Sequence, residues 1–292
     1  MPEGTVVRVL SNFVSVLSPD GDLIICRLRG RLRRQGAVLA GDKVVYRQVD
    51  GDGLVEKVLP RRSRLVRPPV ANVDQVVVVF TLREPELNLS LLDRLLVLVA
   101  YQRLQALLVL NKVDLLRPDE AESLLGVYRD IGYRALAVSA ILGTGLDRLA
   151  QELRHRISVF AGASGVGKSR LLSALVPGKE LLTGELSPKG GRGRHTTRWV
   201  EMILLPDGGM VADAPGFTRL DLDRIPSRSL PDCFPEMAKL AGSCQFNDCL
   251  HHHEPGCAIK EAVREGRIAR HRYDHYLSFL GEIREFEERR YQ

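Results

Sequence analysis

The sequence has no long hydrophobic run, few aromatic residues and few cysteines. Its most apolar stretch, Leu91 to Leu110, is interrupted by Asp93, Arg94 and Gln102, and no segment reaches the ~18 consecutive apolar residues that a membrane-spanning helix needs. The first residues lack the basic-then-apolar order of a secretion signal. These absences argue against a membrane or secreted protein, and we expect a cytoplasmic one without a membrane partner.

Four of the five cysteines lie within one short segment near the carboxyl end, beside three consecutive histidines. An odd number of cysteines next to histidines is more typical of a metal site than of a disulfide framework.

The excess of basic residues lies in the first quarter of the chain. Residues 1–68 contain 13 Lys or Arg against 7 Asp or Glu, a net charge of +6 that equals the charge of the whole chain. Such a surface suits a phosphate-rich partner such as nucleic acid, although a solvated basic surface without a partner explains the charge equally well.

The same segment contains about five short apolar stretches separated by turns such as Pro19-Asp20-Gly21. This pattern predicts a small β-barrel of the OB type, although another small barrel would give the same pattern. Phe13 and Tyr46 are its only aromatic residues, which favours contact with the backbone of structured RNA over base stacking. The contact is expected where arginines crowd one hairpin: Arg27, Arg29, Arg31, Arg33 and Arg34.

After Pro68 the pattern changes to alternating strands and helices, which implies a mostly parallel sheet with helices on both faces. Strands are predicted at 75–81, 106–110, 135–138 and 157–161, helices at 89–103, 118–131 and 145–156, and a hairpin at 200–212. Beyond Leu222 the chain is polar and cysteine-rich, and then helical. We therefore predict a multidomain α/β protein with a barrel at 1–68, an α/β domain at 69–222 and a metal-binding helical module at 223–292.

A phosphate-binding loop of the GxxxxGK[ST] type follows the predicted strand 157–161 and precedes a helical stretch. Its backbone N–H groups and the helix amino terminus would hold the phosphates. Lys168 would reach the β- and γ-phosphates, and the Ser169 hydroxyl would bind Mg²⁺. The loop consists of Gly162, Ala163, Ser164, Gly165, Val166, Gly167, Lys168 and Ser169.

A guanine-reading motif follows the predicted strand 106–110, and it consists of Asn111, Lys112, Val113 and Asp114. Asp114 would accept hydrogen bonds from the guanine N1–H and 2-amino groups, which adenine lacks. Ser139 and Ala140 also follow a strand and would offer a backbone amide to the guanine carbonyl. Both motifs precede the phosphate loop, whereas most GTPases have the phosphate loop first. The order predicts a circularly permuted GTPase domain that binds GTP and GDP.

Switch elements follow the phosphate loop. Asp213 would hold Mg²⁺ through water and the Gly216 amide would sense the γ-phosphate, while Thr196 or Thr197 would supply a hydroxyl to Mg²⁺. Phe217 stands where many GTPases have the glutamine that orients the attacking water. Slow intrinsic turnover is therefore expected, with help from His195, from Arg192 or Arg194, or from a group of the partner.

Three cysteines and a histidine near the carboxyl end form a closed ligand set that suits one structural Zn²⁺. His252 and His253 compete with His251 for the imidazole position, and Cys233 is a spare thiol. The set is Cys244, Cys249, His251 and Cys257. Basic residues that follow it form a second candidate RNA-facing surface: Lys260, Arg264, Arg267, Arg270 and Arg272.

In combination, these motifs resemble the ribosome small-subunit-dependent GTPase family (RsgA/YjeQ) over essentially the whole length. The resemblance implies an OB barrel, a permuted GTPase domain and a zinc module. It also implies GTP hydrolysis stimulated by the small ribosomal subunit and its rRNA during late maturation, by a protein expected to be a monomer. A GTP-gated RNA-binding switch in which hydrolysis is incidental is the alternative. A signalling G protein is disfavoured by the basic first segment.

Overall fold

Five strands form the barrel at the amino end: β1 (Glu3–Leu10), β2 (Phe13–Leu17), β3 (Leu23–Leu28), β4 (Lys43–Val49) and β5 (Asp52–Val58). The strands pair in the order 1-2-3-5-4, and β4 pairs with β1 to close the barrel. Val14, Val16, Val44 and Val55 alternate with less buried residues and are fully buried in its interior. The predicted barrel is confirmed.

The computed structural model describes residues 1–10, 12–30, 32, 38–49, 52–66, 68–176, 200–213 and 220–290. The chain divides into two units. The first comprises Met1–Gln75, Leu146–Phe160 and Gly167–Thr218, and the second comprises Val76–Gly145, Ala161–Val166 and Arg219–Gln292.

A short hairpin that the sequence pattern did not predict follows the barrel in the first unit. Its strands are β6 (Arg64–Leu65) and β7 (Val70–Ala71). The side chain of Arg61 forms two hydrogen bonds to the buried Asp42 carboxylate, with Nε to Oδ1 at 2.7 Å and Nη2 to Oδ2 at 2.8 Å. The segment that leads from the barrel to the hairpin is thus attached to the barrel by an ion pair whose acidic partner is buried.

The second unit contains β8 (Gln75–Phe80), α1 (Leu89–Tyr101), β9 (Gln105–Leu110), α2 (Pro118–Ile131) and β10 (Arg134–Ala137). The strands lie in the order β10-β9-β8, and β10 runs parallel to β9. Every residue of β8 is buried, as expected for a central parallel strand. Helix α1 begins where Asn88 Oδ1 accepts a hydrogen bond from Leu91 N, and α2 ends at Gly132, which has a φ of +113°.

The first unit also contains α3 (Leu146–Leu153), β11 (Ile157–Ala161), α4 (Lys168–Leu175), β12 (Glu201–Leu204) and β13 (Met210–Asp213). Strand β13 pairs parallel with β11 and forms the predicted hairpin with β12. The helix expected at 145–156 is shorter than predicted. It ends at Leu153 because His155 adopts the left-handed conformation, with a φ of +55°, immediately before β11.

The carboxyl-terminal part of the second unit contains α5 (Pro235–Ala238), α6 (Ala258–Arg264) and α7 (Arg270–Arg290). Phe234, Met237, Phe279 and Ile283 form its apolar core. No helix among the described residues is long and apolar enough to cross a membrane.

The expectation that Arg272 faces RNA is wrong. Arg272 is fully buried, and its guanidinium lies 2.6 Å from Asp93 Oδ1 and 2.7 Å from Glu236 Oε1. Two carboxylates surround this charge because an unpaired buried guanidinium would be costly. Arg264, Arg267 and Arg270 are exposed, but each forms an ion pair with a nearby acidic residue.

Candidate nucleotide site and metal centre

The predicted phosphate loop connects β11 to α4. Gly162, Gly165 and Gly167 have φ angles of +142°, +81° and +93°, which residues other than glycine rarely adopt. A Cβ atom at Gly162 would lie 2.0 Å from the carbonyl oxygen of Val79, so this position has no room for a side chain. The glycines therefore permit backbone turns that other residues would not adopt, as a phosphate-binding loop requires.

Helix α4 begins at Lys168, directly after Gly167. Burial lowers the pKa of the half-buried Lys168 ammonium. A phosphate next to this ammonium would offset the loss of solvation, as expected for a phosphate-binding lysine. Ser169 is exposed in the first turn of the helix, where its hydroxyl is available to a ligand.

The guanine-reading loop begins at the end of β9. Asn111 is 2% exposed, and its backbone N–H donates to the carbonyl oxygen of Phe80 at 2.8 Å. The Asn111 side chain donates from Nδ2 to the carbonyl oxygen of Val166 at 2.8 Å, and its Oδ1 accepts from Ala140 N at 3.3 Å. One buried amide therefore connects the guanine-reading loop, the Ser139-Ala140 turn and the phosphate loop.

The two guanine motifs lie side by side, as their positions after neighbouring strands predict. Val113 N donates to Val138 O at 3.2 Å, and the Ser139 hydroxyl donates to Asp114 Oδ1. Ser139 is fully buried, whereas Asp114 is half-buried. The Ser139 hydroxyl thus orients the Asp114 carboxylate while leaving its other oxygen available to a base.

Residues 81–85 lie beside the guanine-reading and phosphate loops, although no sequence motif includes them. Lys112 Nζ donates to the carbonyl oxygen of Glu84, and a Cβ at Gly165 would lie 3.6 Å from Pro85 Cδ. Thr81 Oγ1 donates to Pro85 O at 2.7 Å. The only sequence signal was Pro85 between a strand and a helix, which indicates a turn but not its contacts.

Of the predicted magnesium ligands, Ser169 and the backbone of Asp213 are among the described residues. Asp213 is the last residue of β13. The register of β13 with β11 pairs Ala212 with Val159, so the Asp213 backbone lies beside the carboxyl end of β11, the strand that leads to the phosphate loop. His195, Thr196, Thr197 and Gly216 lie outside the described residues, together with Arg192, Arg194 and Phe217.

The four predicted metal ligands converge, with one donor atom of each within 4.8 Å of all the others. His251 Nδ1 lies 3.5 Å from the sulfurs of both Cys244 and Cys257, and these sulfurs lie 4.0 Å apart. Burial raises the pKa of the Cys249 thiol to about 12, so a thiolate there requires a neighbouring cation. Burial also lowers the pKa of His251, which favours the neutral imidazole that binds metals.

Of the three consecutive histidines, the structure brings His251 into the cluster. The loop is supported by α7, because Tyr273 Oη donates to His251 O and Tyr276 Oη donates to Leu250 O, both at 2.7 Å. Cys233 is buried in the apolar core and donates to Ser229 O at 3.5 Å, apart from the four-residue cluster. Sequence spacing did not predict either tyrosine contact.

Phosphate and guanine loops on parallel strands, with the guanine motifs first in the chain, define a circularly permuted GTPase. A family model described as RsgA GTPase matches residues 58–223, and one described as RsgA N-terminal domain matches residues 3–55. The chain belongs to the RsgA GTPase family and is a GTPase.

Relatives match nearly the whole chain. It is 53% identical over 283 residues to the small ribosomal subunit biogenesis GTPase RsgA of Moorella thermoacetica, covering 96% of this chain and 97% of that protein. The protein of the same name from Caldanaerobacter subterraneus subsp. tengcongensis is 46% identical over 292 residues, covering 99% and 98%.

Two solved structures share the fold. YjeQ from Thermotoga maritima has a TM-score of 0.85 at 37% identity, covering 97% of this chain and 98% of that chain. YloQ, described as a circularly permuted GTPase, has a TM-score of 0.84 at 37% identity, covering 98% and 96%. The predicted fold class is confirmed.

Proposed function

We propose that this chain binds the small ribosomal subunit, assists its late maturation and hydrolyses GTP faster when bound to it. The observation that carries this proposal is the 53% identity over 96% of the chain to a relative named for small ribosomal subunit biogenesis. The nucleotide site supplies the chemistry, and the basic first segment, with its net charge of +6, suits an RNA-rich partner.

In the nucleotide site, we assign base recognition to Asp114, with Lys112 packed over the ring and the Ala140 amide near the guanine carbonyl. Asn111 holds the two loops at a fixed separation, because both ends of its amide are hydrogen-bonded. The phosphate loop, residues 162–169, cradles the phosphates with its backbone N–H groups, and Lys168 neutralises their charge.

Three residues are proposed to hold Mg²⁺: Ser169, Thr196 and Asp213. The ion would neutralise charge on the β- and γ-phosphates. Ser169 in the first turn of α4 and the backbone of Asp213 at the end of β13 fit this role. Gly216 would sense the γ-phosphate and His195 would position the attacking water in place of the missing glutamine.

One structural Zn²⁺ is proposed for Cys244, Cys249, His251 and Cys257. In a tetrahedral site, Zn–S and Zn–N bonds of about 2.3 and about 2.0 Å place sulfur about 3.5 Å from nitrogen and about 3.8 Å from sulfur. The observed nitrogen–sulfur separations are 3.5 Å and the sulfur–sulfur separation is 4.0 Å. All four ligand positions are filled by protein, so the ion would stabilise the fold and not catalyse a reaction.

The domain limits 1–68, 69–222 and 223–292 are part of the same proposal. The same proposal includes contact between the barrel and rRNA, a monomeric state and a cytoplasmic location, where assembling ribosomal subunits are found.

A GTP-gated RNA-binding switch is the second candidate, and Phe217 favours it because phenylalanine cannot orient water. The two candidates differ in what hydrolysis does. If hydrolysis drives release, His195→Ala with GTP should remain bound to small subunits after wild type has left them. Co-sedimentation over time measures this. Equal release of the variant and wild type, with turnover abolished in the variant, would favour the switch.

A further inference from the structure

One outward face of the barrel presents apolar side chains to solvent. Strands β2 and β3 alternate, so Val14 and Cys26 are fully buried inside the barrel while their neighbours point outward. The outward Phe13, Leu23 and Ile25 are 41%, 61% and 68% exposed. A solvated strand face is normally polar, so this face differs from the ordinary pattern.

These side chains are adjacent across the strands. The register pairs Leu17 with Leu23 and Ser15 with Ile25, and it places Phe13 opposite Leu10 on β1, which is 39% exposed. We name this surface the hairpin face: Leu10, Phe13, Leu17, Leu23, Ile25 and Arg27. A contiguous exposed apolar patch rimmed by polar groups is typical of a protein interaction site.

The charges around the hairpin face are unevenly placed. Asp20 and Asp22 are exposed in the turn next to Leu23 and Ile25. At the opposite end, Arg27 lies over the Phe13 ring at 5.8 Å, and Arg29 pairs with Glu56 at 2.6 Å. Between the two ends, Arg8 of β1 lies opposite Ser15 and forms an ion pair with Glu201 at 3.9 Å. The aliphatic end, formed by Leu17, Leu23 and Ile25, therefore has an acidic rim at the turn, which would repel phosphate groups.

The turn that carries the two acids is held by its own hydrogen bonds. Ser18 N donates to Asp22 O at 2.9 Å, and Asp22 N donates to Ser18 Oγ at 3.0 Å. A pre-ordered surface loses little conformational entropy when a partner binds.

We propose that the aliphatic end of the hairpin face docks a protein of the small ribosomal subunit, through a basic segment that carries aliphatic side chains. Leu23 and Ile25 supply the apolar contact, and Asp20 and Asp22 attract the partner's lysines or arginines. This rests on the proposed function. The barrel's contact with rRNA is assigned to the arginines at 27–34, of which Arg31, Arg33 and Arg34 lie outside the described residues.

The test measures the affinity of four full-length proteins for purified small subunits, with a non-hydrolysable GTP analogue, at two salt concentrations. They are wild type, the double variant Leu23→Thr/Ile25→Thr, the double variant Asp20→Asn/Asp22→Asn, and the control Val66→Thr. Val66 is an aliphatic residue of the same unit, 51% exposed and outside the hairpin face. Threonine is a residue type that strands favour, so these substitutions should leave the strand intact. Binding to protein-free small-subunit rRNA is measured in parallel.

The proposal predicts that Leu23→Thr/Ile25→Thr loses about 10-fold or more in affinity for subunits, with unchanged binding to the free rRNA and no effect of Val66→Thr. Asp20→Asn/Asp22→Asn should bind subunits about 3-fold more weakly at low salt, with a smaller effect at high salt.

Three other results would contradict the proposal. If the hairpin face binds RNA, removing the two negative charges strengthens binding, and the apolar variant loses affinity for free rRNA as well. Unchanged subunit binding by both double variants would also overturn the proposal. If wild type itself fails to bind subunits, the proposed function fails and this docking proposal fails with it.

Discussion

Asn111 Nδ2 donates a hydrogen bond of 2.8 Å to the carbonyl oxygen of Val166, which joins the guanine-reading loop to the phosphate loop 55 residues further along the chain. The bond is buried at both ends. Because one side chain joins the two loops, we expect base recognition and phosphate binding to depend on the same amide.

Asn111→Ala should weaken GDP and GTP binding by about 10- to 100-fold, because it leaves the Val166 carbonyl buried without this donor and frees the two loops. Titration with a fluorescent GDP analogue measures the change. Asn72→Ala serves as a control, since Asn72 is also 2% exposed and its Nδ2 also donates to a backbone carbonyl oxygen, that of Gly41 at 2.9 Å, outside the nucleotide motifs. Equal nucleotide affinity in Asn111→Ala and wild type would contradict the role assigned to this bond.

Asp114→Asn should change base specificity. An amide cannot accept from both guanine N1–H and the 2-amino group, so GTP affinity should fall about 100-fold or more. Xanthosine triphosphate, which has a carbonyl in place of the 2-amino group, should gain affinity for the variant. Competition binding with both nucleotides tests this, and undiminished preference for GTP would show that Asp114 does not contact the base.

The elements of the fold and the loops of the site could be predicted because their signals are local. Strand β8 is a continuous apolar run, and the phosphate loop requires glycines at fixed spacing. Arg272 could not be predicted, since a basic residue on a helix resembles a surface residue. Its partner Asp93 is 179 positions away in sequence. The contacts of Glu84 and Pro85 were missed for the same reason, because only folding brings that turn beside the two nucleotide loops.

Cys257→Ser should reduce bound zinc from one ion per chain to near zero and destabilise the segment around the cluster, because a three-ligand site binds the ion far less tightly. Metal analysis and near-ultraviolet circular dichroism measure these effects. Cys233→Ala is the matched control: this buried cysteine lies apart from the four ligands, so the variant should keep its zinc. Full zinc content in Cys257→Ser would refute the ligand assignment.

Asp93→Asn should reduce the free energy of unfolding by about 3–5 kcal/mol, because it removes a carboxylate that pairs with the fully buried Arg272. Urea unfolding at neutral pH measures the loss. Glu261→Gln, which removes an exposed ion pair with Arg264, should change stability little. A comparable effect of the two substitutions would contradict the importance given to the buried pair.

The same carboxylate predicts how stability depends on pH. Burial by itself would raise the pKa of Asp93, but the hydrogen bond from His275 and the charge of Arg272 outweigh burial and lower it. The stabilisation is therefore complete above the unfolded-state pKa of about 3.9 and is lost as the pH falls through the lower folded-state pKa. As the pH falls below about 4, wild type should therefore lose stability more steeply than Asp93→Asn. Parallel pH profiles would contradict this assignment.

The most direct measurement is GTP turnover by the purified protein with and without small ribosomal subunits, at low and high salt. Slow turnover alone, strong stimulation by subunits and a stimulation that weakens with salt are predicted, because basic surfaces would hold the RNA. Lys168→Ala should abolish turnover in every condition. Turnover that subunits leave unchanged at both salt concentrations, in a protein that still binds GTP, would contradict a GTPase that works on the small subunit.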